Sequence, residues 1–509
     1  MRNFKEPFNL NSNIKASLMG LDGDIDAKFS SRLSRIVEYQ NFYEGYHWED
    51  FPEQDTLCLT FNYCKAFVDQ LVSFELGHAF TFTTHNSTDK VIVTKDGRTL
   101  FEYLEDVWED NNQYKLCEEL GQMKSVTGEA WLQVRSYLPE DPELKDPYGE
   151  YPDGRIRIML MPTSVVFPEY NPHDKDDLVK VTIAYTYDKE VQTSILGKTR
   201  KEKTLFKQVW TKDKIVTTDG KSAPIEEDNK YGVIPFVCIR NVTQLGETEG
   251  ASDLADIIPL NIEYNLKCSN ISEIIDYHAA PVTIVYGAKV GNLEKGANKM
   301  WGGLPKDARI ENLTMGDNLE TSTSYLQELK HSMCEISGVP ETMLGGAQAI
   351  SNTSGVALHY MCGPLVDKNN RKKLATEDGL ERLNKLIILI SVLDGYITKP
   401  NDIANRDFFH TEVTLPDNLP KDDLIILQQL QQEVTMGIES KRGAMKRMGK
   451  ENIEEKLREI SEEQQRDIEL GIAPNNPNSP QLNSGMTNSN TPIEEVRKEL
   501  TGQNGGGEI

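Results

Sequence analysis

Residues 250–286 have the sequence GASDLADIIPLNIEYNLKCSNISEIIDYHAAPVTIVY, and this stretch decides the fold. Apolar residues recur at every third or fourth position from Leu254 to Ile275, so the pattern predicts a helical run that starts at Gly250 and extends for about 40 Å. Pro259 lies inside this run and predicts a bend or a restart of the helix. The β-branched residues that follow Pro281 predict a short strand.

A second helical pattern begins near Leu319. Its apolar seam has the spacing three, four, three, at Leu326, Leu329, Met333 and Ile336. Between the two patterns lies a glycine-containing insert, residues 279–318. Two helices joined at their ends by a compact β insert are predicted to form an antiparallel pair with a small cap.

Residues 338–355 are rich in Gly, Ser, Thr and Asn and predict a loop. Val356 to Tyr396 is then predicted to be one long helix that is kinked at Pro364, because proline has no amide hydrogen to donate to the carbonyl of Tyr360. A strand is predicted over residues 405–415. Short helices are predicted within residues 417–470, the first from Asp422 to Met436, and the tail over residues 471–509 is predicted to be disordered.

The N-terminal half mixes both kinds of pattern, so the predicted fold class is α+β. Residues 1–31 predict an irregular arm. Helices are predicted from Arg32 to Gly45, from Leu59 to Gly77 and from Leu100 to Lys124. Alternating residues predict strands over 80–84, 129–137, 156–161, 179–187, 204–211 and 214–218.

Composition narrows the function classes. The 509 residues include 55 Lys and Arg against 80 Asp and Glu, which gives a net charge of -25. This excess of acid argues against a protein that grips nucleic acid through its phosphates, although DNA could still slide past such a surface. Seven scattered cysteines without a C-x-x-C pair predict reduced thiols in an intracellular protein. No signal peptide or membrane-spanning segment is predicted.

Catalytic motifs are nearly absent from the sequence. Gly220-Lys221-Ser222 has the ending of a phosphate-binding loop, but Ile215 stands where that loop needs glycine, so a hairpin turn is the favoured interpretation. We predict no catalytic residues, no metal site and no cofactor.

An aspartate alternation near the N-terminus resembles the opening of a calcium loop. Asp22, Asp24 and Asp26 have the required spacing, but Ala27 and Leu33 occupy positions that need glycine and glutamate. The sequence therefore disfavours calcium binding.

Several short segments follow one another in a recognisable order. They are RIVEYQNFYEGYH (35–47), NYCKAFVD (62–69), GEAWL (128–132), IPF (234–236), GASDL (250–254), Tyr264-Asn265 with Ser269, and the helices over 419–468. Together they resemble the portal proteins of tailed phages of the SPP1-like siphophage type over nearly the whole chain. The resemblance implies a non-enzymatic ring of twelve subunits at one capsid vertex, through which DNA is packaged and ejected.

The same resemblance implies a division of the chain into parts. It assigns residues 32–249 and 356–416 to a wing, 250–278 and 319–337 to two stem helices, 279–318 to a clip, 338–355 to a tunnel loop and 417–470 to a crown. The implied partners are further copies of the chain, the terminase large subunit, a head–tail adaptor, the major capsid protein, the scaffold and double-stranded DNA. The implied locations are the virion and, during assembly, the host cytoplasm.

Two groups of residues are predicted to carry this function. The tunnel-loop group, which would line the DNA channel, is Gly345, Gly346, Gln348, Ser351, Asn352, Thr353 and Ser354. The clip group, which would contact partners, is Val282, Ile284, Tyr286, Lys289, Lys299, Trp301, Lys306 and Arg309. For the basic members of the clip, ordinary solubilising charge, an acidic partner and DNA are all open interpretations.

Two other functions stay open at this point. One is a phage hydrolase, using a nucleotide or a metal, whose active site is dispersed in sequence. The other is a different head or connector component with similar β-rich wings, which should lack the paired helices and the loop after them.

Overall fold

The computed structural model describes residues 23–48, 58–88, 91–141, 144, 146–192, 199–220, 222–279, 283–286, 307, 309–312, 318–345, 360–416, 423–440, 443–445, 456–462 and 466. Its helices are α1 (Gly23–Glu44), α2 (Tyr63–Leu76), α3 (Leu100–Asp110), α4 (Gln113–Thr127), α5 (Ile258–Ala279), α6 (Asn318–Ser337), α7 (Gly363–Leu393), α8 (Asn405–Phe408) and α9 (Asp423–Thr435). Short 3-10 turns occupy Thr163–Val165 and Glu341–Leu344.

Fourteen strands accompany these helices in the described part of the chain. They are β1 (Thr81–Thr84), β2 (Glu129–Tyr137), β3 (Arg155–Met161), β4 (Val166–Asn171), β5 (Asp174–Gln192), β6 (Thr199–Trp210), β7 (Lys214–Asp219), β8 (Ile225–Asp228), β9 (Phe236–Arg240), β10 (Val242–Thr243), β11 (Gly250–Ala251), β12 (Thr283–Tyr286), β13 (Arg309–Asn312) and β14 (Thr411–Thr414). The predicted α+β class is confirmed.

The strands form two main antiparallel sheets and three two-stranded ones. The order is β3-β2-β9 in the first main sheet and β4-β5-β6-β7-β8 in the second. The small sheets pair β1 with β14, β10 with β11, and β12 with β13. The first of these brings the strand after α2 beside the strand after α8, so residues far apart in sequence close one part of the core.

The chain divides into two compact units, Met1–Pro420 and Lys421–Ile509. In the first unit, one face of the three-stranded sheet packs on α3, α4 and α7, with Leu132, Ile158 and Leu383 among the buried residues. Its other face carries Trp131 into a separate apolar cluster with Val181 and the five-stranded sheet. The second unit includes α9, which Gly437 ends with a positive φ of 73°, as predicted.

The predicted helix from Leu100 to Lys124 is wrong in one respect, because two helices occupy this region. Asn112 has a left-handed φ of 52°, and its side chain caps α4 by accepting a hydrogen bond from the amide of Lys115. Asn111 turns its amide toward the carbonyls of Val107 and Ile156. Asparagine tolerates this conformation better than most residues, which explains the break.

Both prolines in predicted helices lie in the first turn of a helix. The restart at Pro259 is confirmed, since α5 begins at Ile258, but the predicted helical start at Gly250 is wrong because that glycine lies in β11. The predicted interruption near Pro364 is a break, since Tyr360 and Met361 are helical, Cys362 forms a turn and α7 starts at Gly363. The first turn of a helix has no intrahelical partner for its amides, so proline costs nothing there.

Two further boundaries differ from the predictions. Helix α1 begins at Gly23, within the predicted arm, so Asp24 and Asp26 are helical and cannot open a calcium loop. Residues 405–408 are helical, and only Thr411–Thr414 form the strand predicted over 405–415. The predicted hairpin turn is confirmed, because Gly220 has a φ of 63° between the paired strands β7 and β8.

Candidate functional site: the junction of the paired helices

Helices α5 and α6 pack with the start of one beside the end of the other. Leu254 and Ile257, just before α5, share an apolar cluster with Met333 and Cys334 near the end of α6. This arrangement confirms the predicted antiparallel pair. The chain between the two helices includes the β12–β13 hairpin, in which Tyr286 lies opposite Arg309.

A buried carboxylate lies five residues before α5. The side chain of Asp253 is 2% exposed, and its oxygens are 2.8 Å from Nζ of Lys372 and 3.0 Å from Nζ of Lys368. The side-chain amide of Asn241 donates a third bond of 3.0 Å. Burial alone would raise the pKa of Asp253, but the two lysine charges outweigh it and hold the pKa well below its usual value.

A second buried carboxylate, Glu75 near the end of α2, joins the same cluster. It pairs with Lys124 of α4, accepts a hydrogen bond of 2.8 Å from Thr376 and lies 3.5 Å from Lys372. Burial works against the carboxylate, yet the charges of Lys124 and Lys372 lower the pKa of Glu75. Burial also lowers the pKa of Lys124 to about 8. We call Glu75, Lys124, Asp253, Lys368 and Lys372 the junction cluster.

Lys368 connects this cluster to the end of α6. Besides its ion pair with Asp253, its Nζ donates a hydrogen bond of 3.1 Å to the carbonyl of Ser337, the last residue of α6. One side chain on α7 therefore holds the entrance to α5 and the exit from α6 together.

A row of neutral side chains on one face of α5, Asn261, Asn265 and Ser269, forms what we call the asparagine ladder. The Asn261 side chain accepts from the amide of Cys64 and donates to the carbonyl of Phe61, at 3.3 and 2.9 Å. Asn265 accepts from the amide of Phe61 at 2.9 Å, and Ser269 accepts from the amide of Leu59 at 3.0 Å. The extended segment before α2 is thereby fastened along α5.

His47 extends the ladder toward α1. Its ring stacks on Phe42 with centroids 4.8 Å apart, and it shares hydrogen bonds with the Asn265 amide and the carbonyl of Phe42. Burial lowers the pKa of His47, which favours the neutral ring at this contact.

A family profile described as phage portal protein, SPP1 Gp6-like, matches residues 22–470. The chain belongs to this family of phage portal proteins. The predicted resemblance is therefore confirmed, and the chain is a structural component of a phage particle. Portal proteins connect the capsid to the tail, and the paired helices, the loop after them and α7 all lie inside the matched region.

Two solved structures are also similar to this portal protein. One is described as the neck of a native gene transfer agent particle computed with C12 symmetry, with a TM-score of 0.39 and 12% identity over 76% of this chain and 89% of that chain. The other is the virion of a native gene transfer agent particle, with a TM-score of 0.39 and 11% identity over 81% and 93%. The family assignment does not depend on these loose likenesses. A comparison with curated proteins finds no match.

The structure describes four of the residues predicted to carry the portal function. Gly345 ends the 3-10 turn after α6 with a φ of 84°, a conformation that favours glycine. Ile284 lies opposite Glu311 in the β12–β13 hairpin, Tyr286 is 51% exposed, and Arg309 forms an ion pair with Glu311. The remaining predicted residues of the loop and the clip, including Gly346 and Trp301, lie outside the described part of the chain.

The junction holds helices together and offers nothing to a substrate, since the side chains of Glu75, Lys124, Asp253 and Lys372 are almost fully buried. Within the described residues, no three His, Cys, Asp or Glu side chains are grouped as a metal site would need. None of the described helices is long and apolar enough to cross a membrane.

The sequence reasoning missed the whole junction cluster. The available signal was a charged residue on an otherwise apolar helix face, as with Glu75, which follows Leu71 and Val72 at four- and three-residue spacing. Such residues are rarely buried without a partner, so each should have prompted a search for an opposite charge. Of the asparagine ladder, the sequence analysis singled out only Asn265 and Ser269, as part of the family resemblance.

Proposed function

We propose that this portal protein forms a ring of twelve subunits whose central channel carries double-stranded DNA into and out of a capsid at one vertex. In this proposal the stem is residues 250–278 and 319–337, which contain most of α5 and α6. Residues 279–318 are the clip, 338–355 the tunnel loop, 32–249 and 356–416 the wing, and 417–470 the crown. The observation that carries it is the junction cluster, because Lys368 ties the start of α5 and the end of α6 to α7 at the point where the loop begins.

The paired helices have apolar side chains left for neighbouring subunits. The exposed ones are Ile274 and Ile275 on α5 and Tyr325 and Ile336 on α6. Exposed apolar side chains of this kind favour packing against another protein surface, which here is the next copy in the ring.

The net charge suits a channel that must not hold its cargo. Each subunit carries -25, so a closed ring presents a strongly acidic annulus to DNA. Repulsion at the wall lowers the cost of sliding. The uncharged residues of the loop would touch the DNA phosphates weakly and without fixed charge. They include Gly345, Gly346, Gln348, Ser351, Asn352, Thr353 and Ser354.

The clip is proposed to dock the terminase large subunit during packaging and the head–tail adaptor afterwards. Tyr286 is exposed, and Trp301 is the aromatic anchor that we expect to dominate this contact. The portal protein would contact the major capsid protein and the scaffold during assembly in the host cytoplasm. If Trp301→Ala leaves ring formation and partner binding intact, the clip interface is placed wrongly.

The first test of the proposal is the shape of the purified protein. Negative-stain images should show closed rings with a central hole, and a monodisperse monomer at micromolar concentration in light scattering would contradict the ring.

The loop has its own test. Replacing Gly345 and Gly346 by two tryptophans should leave rings intact while blocking DNA packaging or retention in a complementation assay. Normal packaging by such rings would move the narrowest point of the channel elsewhere.

Portal proteins are structural, and the absence of catalysis in this one is a further prediction. The purified chain should not turn over ATP, because packaging energy should come from the terminase. ATP hydrolysis that is lost on Lys221→Ala would instead favour the hydrolase interpretation.

A further inference from the structure

A cleft of about 910 Å³ lies between the three-stranded and the five-stranded sheet of the first unit. Arg135 of β2 and Arg155 and Arg157 of β3 line one wall. Ile156 and Ile158, which alternate with the β3 arginines, point into the apolar core on the opposite face. Tyr185 and Phe206 line the other wall, with ring centroids 5.0 Å apart. We call this the arginine cleft.

Two buried side-chain nitrogens of the cleft lack an acceptor, although Arg155 also donates from another nitrogen to the carbonyl of Asp110. Gln133 is 3% exposed, and its Nε2 has no hydrogen-bond partner; the buried Nε of Arg155 has none either. Arg157 is exposed and forms no ion pair with any residue that the structure describes. A buried donor without an acceptor is unfavourable, so the Gln133 and Arg155 nitrogens favour a ligand that brings oxygen atoms.

The charges around the cleft also favour an anionic ligand. The β2–β3 register places Arg135 directly opposite Arg157, an arrangement that is unfavourable for two like charges. The rim carboxylates are already engaged, because Glu119 pairs with Lys115 and Asp110 lies beside Arg155. In a chain with a net charge of -25, this concave basic surface is a local exception.

We propose that the arginine cleft docks an acidic segment of a partner polypeptide, with Asp or Glu side chains separated by apolar ones. Guanidinium groups bind carboxylates through paired hydrogen bonds, and the Gln133 amide would supply one more donor. The Tyr185 and Phe206 rings, with Met159, offer apolar surface for the intervening side chains. The volume suits a few side chains and is too small for a DNA duplex. The proposal concerns the proposed wing surface but does not require a ring.

The test uses the full chain and a fluorescein-labelled peptide of alternating Glu and Leu, followed by anisotropy. We expect saturable binding that weakens with salt, and a Gln and Leu peptide that binds at least about tenfold more weakly. Arg157→Glu should weaken binding of the acidic peptide by about tenfold or more, because a charge-assisted pair becomes a repulsion.

The matched control is Arg371→Glu, which changes an exposed arginine of α7 that does not line the cleft. It should bind the acidic peptide as the unchanged protein does, and both variants should unfold at the same temperature. Equal binding by Arg157→Glu, or equal binding of the neutral peptide, would overturn the proposal. Displacement of the peptide by a short single-stranded DNA at equal charge would identify a nucleic-acid site instead. Loss of rings on Arg157→Glu would identify a neighbouring copy as the occupant.

Discussion

The portal protein fastens its paired helices in two chemically different ways. At one end of the pair, where α5 begins and α6 ends, the junction cluster uses buried charges: Asp253 meets Lys368 and Lys372, and Glu75 meets Lys124. Along α5, the asparagine ladder uses neutral side chains that bond to backbone amides and carbonyls. A buried charge is far more costly to leave alone than a buried amide, so the two regions should respond very differently to the loss of one partner.

The largest effect is expected from Asp253→Asn. The substitution keeps the shape but leaves Lys368 without a carboxylate and Lys372 with only the more distant Glu75. Breaking a buried ion pair costs about 3–5 kcal/mol. Chemical denaturation should show this loss in the free energy of unfolding. Asp378→Asn is the control, because Asp378 forms an exposed pair with Arg382 on α7, worth at most about 1 kcal/mol. Equal losses in the two variants would mean that the junction cluster does not hold the fold.

A smaller effect is expected in the ladder. Asn261→Ala removes the side chain that accepts a hydrogen bond from the amide of Cys64 and donates one to the carbonyl of Phe61. The free energy of unfolding should fall by about 1–3 kcal/mol. Asn270→Ala, at an exposed position of the same helix, should be nearly neutral. A loss for Asn261→Ala as large as that for Asp253→Asn would erase the contrast between the two regions.

The smallest effect concerns acid pH. At low pH the stability loss caused by the junction variant should shrink, whereas the loss caused by the ladder variant should not change. The folded-state pKa values of Asp253 and Glu75 are lowered, so their contribution is present above the unfolded pKa of about 4 and is lost as the pH falls below it. The stability gap between the unchanged protein and Asp253→Asn should therefore shrink below about pH 4, as measured by the unfolding midpoint. The gap for Asn261→Ala should stay constant over the same range, and a gap that narrows equally would contradict the assignment.

Local patterns predicted much of the fold. The antiparallel helix pair, the strand before Gly220 with the turn at that glycine, and the helix that Gly437 ends were all predicted, because each depends on periodicity or turn residues within a short window. The errors arose where a local rule allows two outcomes. Pro364 can kink a helix or start one, and only the chain around Cys362 decides that α7 starts there.

The candidate site, unlike the helices and strands, could not be predicted from local patterns. The order of the elements placed the loop, the clip and the helix pair along the chain, and the family resemblance gave them their proposed roles. The junction cluster forms no contiguous sequence motif, because its charges lie on α2, α4, α7 and the turn before α5. Glu75 and Thr376, which share a hydrogen bond, are 301 residues apart.

By itself, the sequence determined the α+β class, the pairing of α5 with α6, the acidic surface and the membership of the portal family, since all of these are written in local periodicity, composition or the order of short segments. Only the tertiary structure decided which charges are buried together and which donors of the arginine cleft lack an acceptor. The physical reason is that the energy of a buried charge or donor is set by its partners across the fold, and those partners are brought together only when distant segments pack.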